Sequence, residues 1–248
     1  MTREEGERIA RDVAGIIVIG TVDSQEIHRV FADQPHLVFV DHLPGMMLGD
    51  AVRSSWAHAT ENALDYLISL GCQHIAFLGG ERHLIHLEGG EAQREHDERE
   101  RSFVYHTKEC GVYDVALDFK VNEWNAEDGY RVIDAFFKNH RGTMDGLIAA
   151  NDRLAIGAMR AIQENGMKIP DDVQVIGFND LESLSFLRPS LTSVHLFAEA
   201  LGETAVRLLN ERLLNPREYP VSVMLPTRLI VRESTGGEDS PLYTRVLI

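Results

Sequence analysis

Short, unbroken apolar runs closed by glycine or by a carboxylate recur along this chain: GIIVIG (15–20), LVFVD (37–41), HIAFLGG (74–80), GLIAA (146–150) and VQVIGF (173–178). A strand with one wet face would alternate polar and apolar side chains. These do not, so they belong to strands covered on both faces, the pattern of parallel sheets under helices. Amphipathic stretches fill the intervals: 24–31, 54–70 closed by Gly71, 98–110 closed by Gly111, 127–139, 153–165 closed by Gly166, and 199–214. Glycine just past such a stretch ends a helix in the left-handed conformation. VALDF (115–119), LTSVH (191–195), VSVML (221–225) and RLIVR (228–232) read as further strands, and 81–96, rich in His and Glu, reads as loop. The alternation predicts an α/β fold with mainly parallel sheets.

Length and charge narrow the function. With 248 residues, 44% of them hydrophobic, the chain can bury one large core or two smaller ones. Its net charge of −15, from 24 Lys+Arg against 39 Asp+Glu, opposes nucleic-acid binding by overall field. Cys72 and Cys110 lie far apart in sequence, without zinc spacing, and read as buried reduced thiols. The apolar run after the charged N-terminus is too short for a signal core or a membrane span, so a cytoplasmic location is expected.

In parallel sheets ligands collect outside the carboxyl ends of strands. The residues there are Asp41, Gly79-Gly80, Asn122 to Trp124, Asn151-Asp152 and Asn179-Asp180. Asn151 or Asp152 serves either to cap the next helix or to meet a ligand hydroxyl with its paired donor and acceptor; both hold if Asp152 caps and Asn151 binds. Asn179-Asp180 is either a turn or a second polar contact. Trp124 either closes its loop by packing or stacks on a ring. Arg99, in DERERSF, is either a solvated charge beside Arg94 and Arg101 or a fork for vicinal hydroxyls. His83, His86 and His96 match no metal-ligand spacing, and phosphate-binding glycine loops and nucleophile elbows are absent, so neither metal, cofactor nor catalysis is indicated.

DGLIAANDRLAIGAMRAIQENGMKIPDDVQVIGFND (145–180) followed by RPSLTSVHLFAEALGETAVRLLNERL (188–213) resembles the LacI/GalR family of bacterial transcription regulators, with the galactose-type sugar repressors nearest. The closing PTRLIVREST is similar to the family's last strand. The resemblance implies a two-lobed fold like that of periplasmic sugar-binding proteins: 1–72 plus 196–218 as an N-terminal lobe lacking its first strand and helix, 73–195 plus 219–236 as a C-terminal lobe, and 237–248 as a tail. It implies a mono- or disaccharide effector in the cleft, contacted by Arg99, Trp124, Asn151, Asn179 or Asp180, and Asp41, with Asp152 as the cap. It further implies a homodimer that reaches operator DNA only through a helix-turn-helix head not contained in these residues. Rival expectations are a transport-type sugar-binding protein, which a leader peptide would mark, and a sugar-modifying enzyme, which turnover would mark.

Overall fold

The computed structural model describes residues 3–31, 33–42, 49–84, 94–139 and 144–237. In chain order the elements are α1 (Arg3–Asp12), β1 (Ile16–Ile19), α2 (Ser24–Val30), β2 (Leu37–Val40), β3 (Asp50–Ser54), α3 (Trp56–Ser69), β4 (Ile75–Gly79), β5 (Arg82–His83), β6 (Arg94–Glu95), α4 (Glu98–Glu109), β7 (Asp118–Lys120), α5 (Ala126–Asn139), β8 (Gly146–Ala149), α6 (Asp152–Glu164), β9 (Gln174–Asn179), β10 (Thr192–Leu196), α7 (Ala198–Leu214), β11 (Ser222–Leu225) and β12 (Thr227–Ile230). The predicted alternation is the observed one. Gly71 and Gly166 sit at φ +95° and +81°, the conformation that lets the chain leave α3 and α6 without a Cβ clash.

Four segments differ from expectation. Helix α1 and strand β3 were not foreseen, the first because its charges obscure a short apolar stripe, the second because DAVRS carries polar ends. VALDF is strand only from Asp118; residues 115–117 form a 3-10 turn, because the Asp114 side chain accepts the Ala116 N–H and bends the chain there. The stretch read as loop contains the two-residue ladder β5–β6, and residues 85–93 lie outside the described ones.

The chain forms two compact units: Met1–Ser55 with Arg82–Glu95 and Phe197–Pro226, and Trp56–Glu81 with His96–Leu196 and Thr227–Ile248. This division differs from the lobes expected by resemblance. Helix α3 belongs to the second unit because it packs on α4 and β12. Strand β11 belongs to the first because it pairs in parallel with β3.

In the first unit a parallel sheet runs β1-β2-β3-β11. Alternation along its strands sorts the core by face. Leu37, Phe39 and Ala51 pack with Ala10, Ile27 and Val30 of α1 and α2, whereas Val38, Val40 and Val52 pack with Leu201, Ala205 and Leu208 of α7. At the start of β3 the fully buried Asp50 accepts hydrogen bonds from Arg212 and Arg217 and from the Val221 N–H.

The second unit has a six-stranded sheet ordered β12-β10-β9-β8-β4-β7, parallel except for β12. From β4 the chain moves outward one way, through α4 to β7; from β8 it moves the other way, through α6 to β9. With right-handed crossovers, α4 and α6 therefore lie on opposite faces, which agrees with the pairing of α3 with α4 and of α5 with α6. The β4/β8 boundary is thus a topological switch point, where ligands of such sheets bind. Helices α5 and α6 meet so closely that a Cβ at Gly157 would overlap the Ala126 carbonyl oxygen. We expect Gly157→Ala to cost about 1–3 kcal/mol through forced separation of these helices, read as a lower urea midpoint at unchanged slope.

Cys72 is buried, its thiol pushed up to about 11 first by that burial and then by Asp145. Cys110 is exposed, contrary to the expectation of two buried thiols, because it lies at the C-cap of α4, past the last inward turn. Among the described residues no helix is long and apolar enough to cross a membrane.

Candidate ligand site at the strand ends of the second unit

Arg99 lies in the first turn of α4, two residues after the helix cap Asp97. Asp97 is fully buried and caps α4, accepting the Arg99 backbone N–H at 2.9 Å. The same carboxylate grips the guanidinium on two sides, Nε to Oδ1 at 2.7 Å and Nη2 to Oδ2 at 2.8 Å. Nη1 donates to the carbonyl of Ala150, the residue before Asn151. Aromatic rings enclose the cation: its Cζ is 4.3 Å from the Trp56 ring centroid, 5.1 Å from Trp124 and 5.6 Å from Phe178. Arg99 is 5% exposed, so the reading as a solvated charge is overturned. A buried charge needs a paired, hydrogen-bonded setting, and here Asp97, Ala150 and the ring faces supply it. Each Nη still carries a second N–H, in a fixed direction.

Asn151 follows β8 in extended backbone, φ −151° and ψ 166°, and its Oδ1 accepts the Leu154 N–H at 2.8 Å. Asn151, not Asp152, is therefore the helix cap. The cap must have non-helical backbone, and Asp152 is already the first residue of α6. The Asn151 amide also donates to the Trp124 carbonyl at 3.1 Å, so it fixes the loop that presents Trp124. That loop is pinned again by Asp128, which accepts the N–H groups of Asn122 and Glu123; the Glu123 bond first, then Arg131, hold its carboxyl below the usual range. The half-buried Trp124 ring directs its indole N–H toward the Glu81 carbonyl at 3.4 Å.

Asn179 and Asp180 both adopt positive φ, +106° and +55°. Asp41, in the first unit at the end of β2, does the same at +56°. Among the described residues these are the only non-glycine positions in that region. Such backbone costs about 1–3 kcal/mol per residue and concentrates at ligand sites. Asp180 is held on both sides, its carboxylate accepting from Arg232 Nη2 at 2.6 Å and pairing with His195 Nδ1 at 2.9 Å. Asn179 is exposed, and its amide makes no hydrogen bond to a described residue.

The structure thus brings Arg99, Trp124, Asn151, Asn179 and Asp180 to one edge of one sheet, and places Asp41 at the corresponding edge of the first unit's sheet. Sequence reading missed Asp97, Trp56 and Phe178. The signal for Asp97 was present, an aspartate just before a helix start; Trp56 read as an ordinary apolar helix position. Among the described residues no three His, Cys, Asp or Glu side chains are placed to hold a metal ion.

Residues 64–235 match the family profile of the periplasmic binding protein-like domain. Across 227 residues the chain is 34% identical to the HTH-type transcriptional regulator GalR of Streptococcus thermophilus, covering 92% of this chain and 67% of that protein. The chain belongs to the LacI/GalR family. The HTH-type transcriptional repressor MelR of Bacillus subtilis is 32% identical, covering 93% of this chain and 65% of its own length. The chain therefore spans about two thirds of the length of these LacI/GalR relatives. A solved LacI family regulator from Arthrobacter sp. FB24, in complex with lactose, is similar with a TM-score of 0.76 at 28% identity, over 95% of this chain and 84% of that one. These findings place the α/β units, with their mainly parallel sheets, in a family of transcriptional regulators rather than enzymes, and the region carried here is its effector-binding domain.

Proposed function

We propose that this domain binds a mono- or disaccharide, with the second unit's strand ends supplying the contacts, and that the parent protein is a sugar-responsive repressor. The observation that carries this is the buried Arg99, fixed by Asp97 and Ala150 with donors to spare. A rigid guanidinium fork suits vicinal ring hydroxyls, and holding it beforehand reduces the ordering cost of binding. Asn151 keeps a second amide N–H, Asn179 offers both a donor and an acceptor, and the Trp124 face suits the C–H side of a pyranose. The lactose complex of the Arthrobacter regulator supports a sugar of this class. In the parent protein, acting as a cytoplasmic homodimer, sugar binding would bias operator affinity as a coupling free energy between two sites.

Calorimetric titration with lactose, galactose, cellobiose and ribose tests the reading. Saturable binding of at least one sugar, recovered unchanged, is the expected result. Silence toward all four beside a clear response to a purine or an amino acid would sink it. Trp124→Ala is expected to weaken sugar binding about tenfold, or about 1.4 kcal/mol, while Trp124→Phe retains most of the affinity.

A further inference from the structure

Asp152 stands apart from the contacts just described. It is fully buried, it is not the helix cap, and its oxygens are committed inward. Oδ2 accepts the Leu181 N–H at 2.9 Å, and Oδ1 accepts the Ser193 hydroxyl at 2.6 Å. The Ser193 Oγ in turn accepts the Asp180 N–H at 3.1 Å. Both N–H groups that follow Asn179 therefore end on this one carboxylate, one directly and one through serine. Room for it exists because residue 177 is glycine: a Cβ there would overlap Asp152 Oδ1. Two consecutive residues at positive φ persist only when the surroundings impose that conformation, and these bonds impose it.

We propose that Asp152 and Ser193 form a buried clamp that sets the Asn179-Asp180 turn for ligand, with Asp152 as a positioning residue that acts in its ionised form. The inference rests on Asn179 being a sugar contact. Asp180, with its carboxylate engaged by Arg232 and His195, is then part of the support, and Asn179 is the residue presented. A protonated Asp152 carries a hydroxyl on one of the two oxygens that now accept, from Leu181 N–H or from Ser193, so one of these bonds is lost and the clamp loosens.

Burial, outweighing the bonds from Ser193 and Leu181, pushes the Asp152 carboxyl up to about 6; Asp180 also raises it and Arg232 lowers it. The charged groups acting on it are Asp180 after β9 and Arg232 beyond β12, while His195 on β10 pairs with Asp180; β8 carries none. The sign separates two roles. For folding, a carboxyl raised from 3.8 in the unfolded chain to about 6 contributes stability at low pH that is lost as pH rises through 6. For binding through the clamp, affinity is lost as pH falls through the same value.

Lactose titration of the full chain between pH 5 and 8, beside thermal denaturation, distinguishes them. Wild-type affinity is expected to fall about tenfold from pH 7 to pH 5, in proportion to ionised Asp152. Asp152→Asn is expected to bind about tenfold more weakly at pH 7, with a flat profile over this window. His195→Gln is expected to keep the wild-type slope, and a flat profile in that variant would overturn Asp152 as its source. Should Asp152→Asn fail to fold, Ser193→Ala decides the matter: about fivefold weaker binding by the folded variant supports the clamp, and wild-type affinity overturns it. Wild-type affinity and slope in Asp152→Asn overturn the clamp alone. Failure of the wild type to bind lactose, galactose, cellobiose and ribose overturns the sugar reading, and with it the clamp as a ligand-positioning device.

Discussion

Arg99→Met is expected to weaken the proposed sugar binding at least a hundredfold and to lower stability by about 3–5 kcal/mol, the usual cost of stranding one member of a buried ion pair. The stranded member is Asp97, fully buried and gripping Arg99 through both carboxylate oxygens. The Ala150 carbonyl at the end of β8 also loses its donor. The two losses separate in the double variant Asp97→Asn/Arg99→Met, which recovers most of the stability, because no lone charge remains, and none of the binding. Arg99→Lys keeps the charge but not the fork, so it keeps the fold better than methionine while still losing most of the affinity. Urea denaturation and lactose calorimetry on the same preparations check each arm; full binding by the folded double variant would remove Arg99 from the site.

Asp50→Ala is expected to carry the second large effect, a loss of about 3–5 kcal/mol from the first unit. This aspartate is fully buried and joins Arg212 of α7, Arg217 and the Val221 N–H to the start of β3. Without it two arginines face each other with their common acceptor gone, and the backbone leading into β11 loses the bond that seats it beside β3. Asp50→Asn, which can still accept from Val221 N–H, is expected to lose about half as much. Hydrogen exchange should rise first in 50–54 and 222–225. Uniform loss of protection across both units, or none at all, would contradict this account.

Some of the site was legible because position along a strand is a one-dimensional property. The apolar run GLIAA ends at residue 150 and VQVIGF at residue 178, and whatever polar residue follows must sit at the sheet's edge. That placed Asn151 and Asn179-Asp180 correctly, and the family spacing joined Arg99 and Trp124 to them. Roles within those pairs were not legible. Whether Asn151 or Asp152 caps α6 depends on which residue still has extended backbone, and Asn151 does, at φ −151°. Whether Arg99 is wet or buried depends on where Asp97 and three aromatic rings, spread from residue 56 to residue 178, come to lie.

The amino-acid sequence by itself determined the strand–helix alternation, the parallel sheets and the polar strand ends, because each follows from local periodicity and from the need to cover a doubly buried strand. Only the tertiary structure decided that β3 and β11 share one sheet and that α3 serves the other. It alone made Arg99 a caged cation and turned Asp152 inward to hold two strained residues. These outcomes rest on hydrogen bonds and ring contacts between residues tens of positions apart, and chain spacing carries no record of which distant donor meets which acceptor.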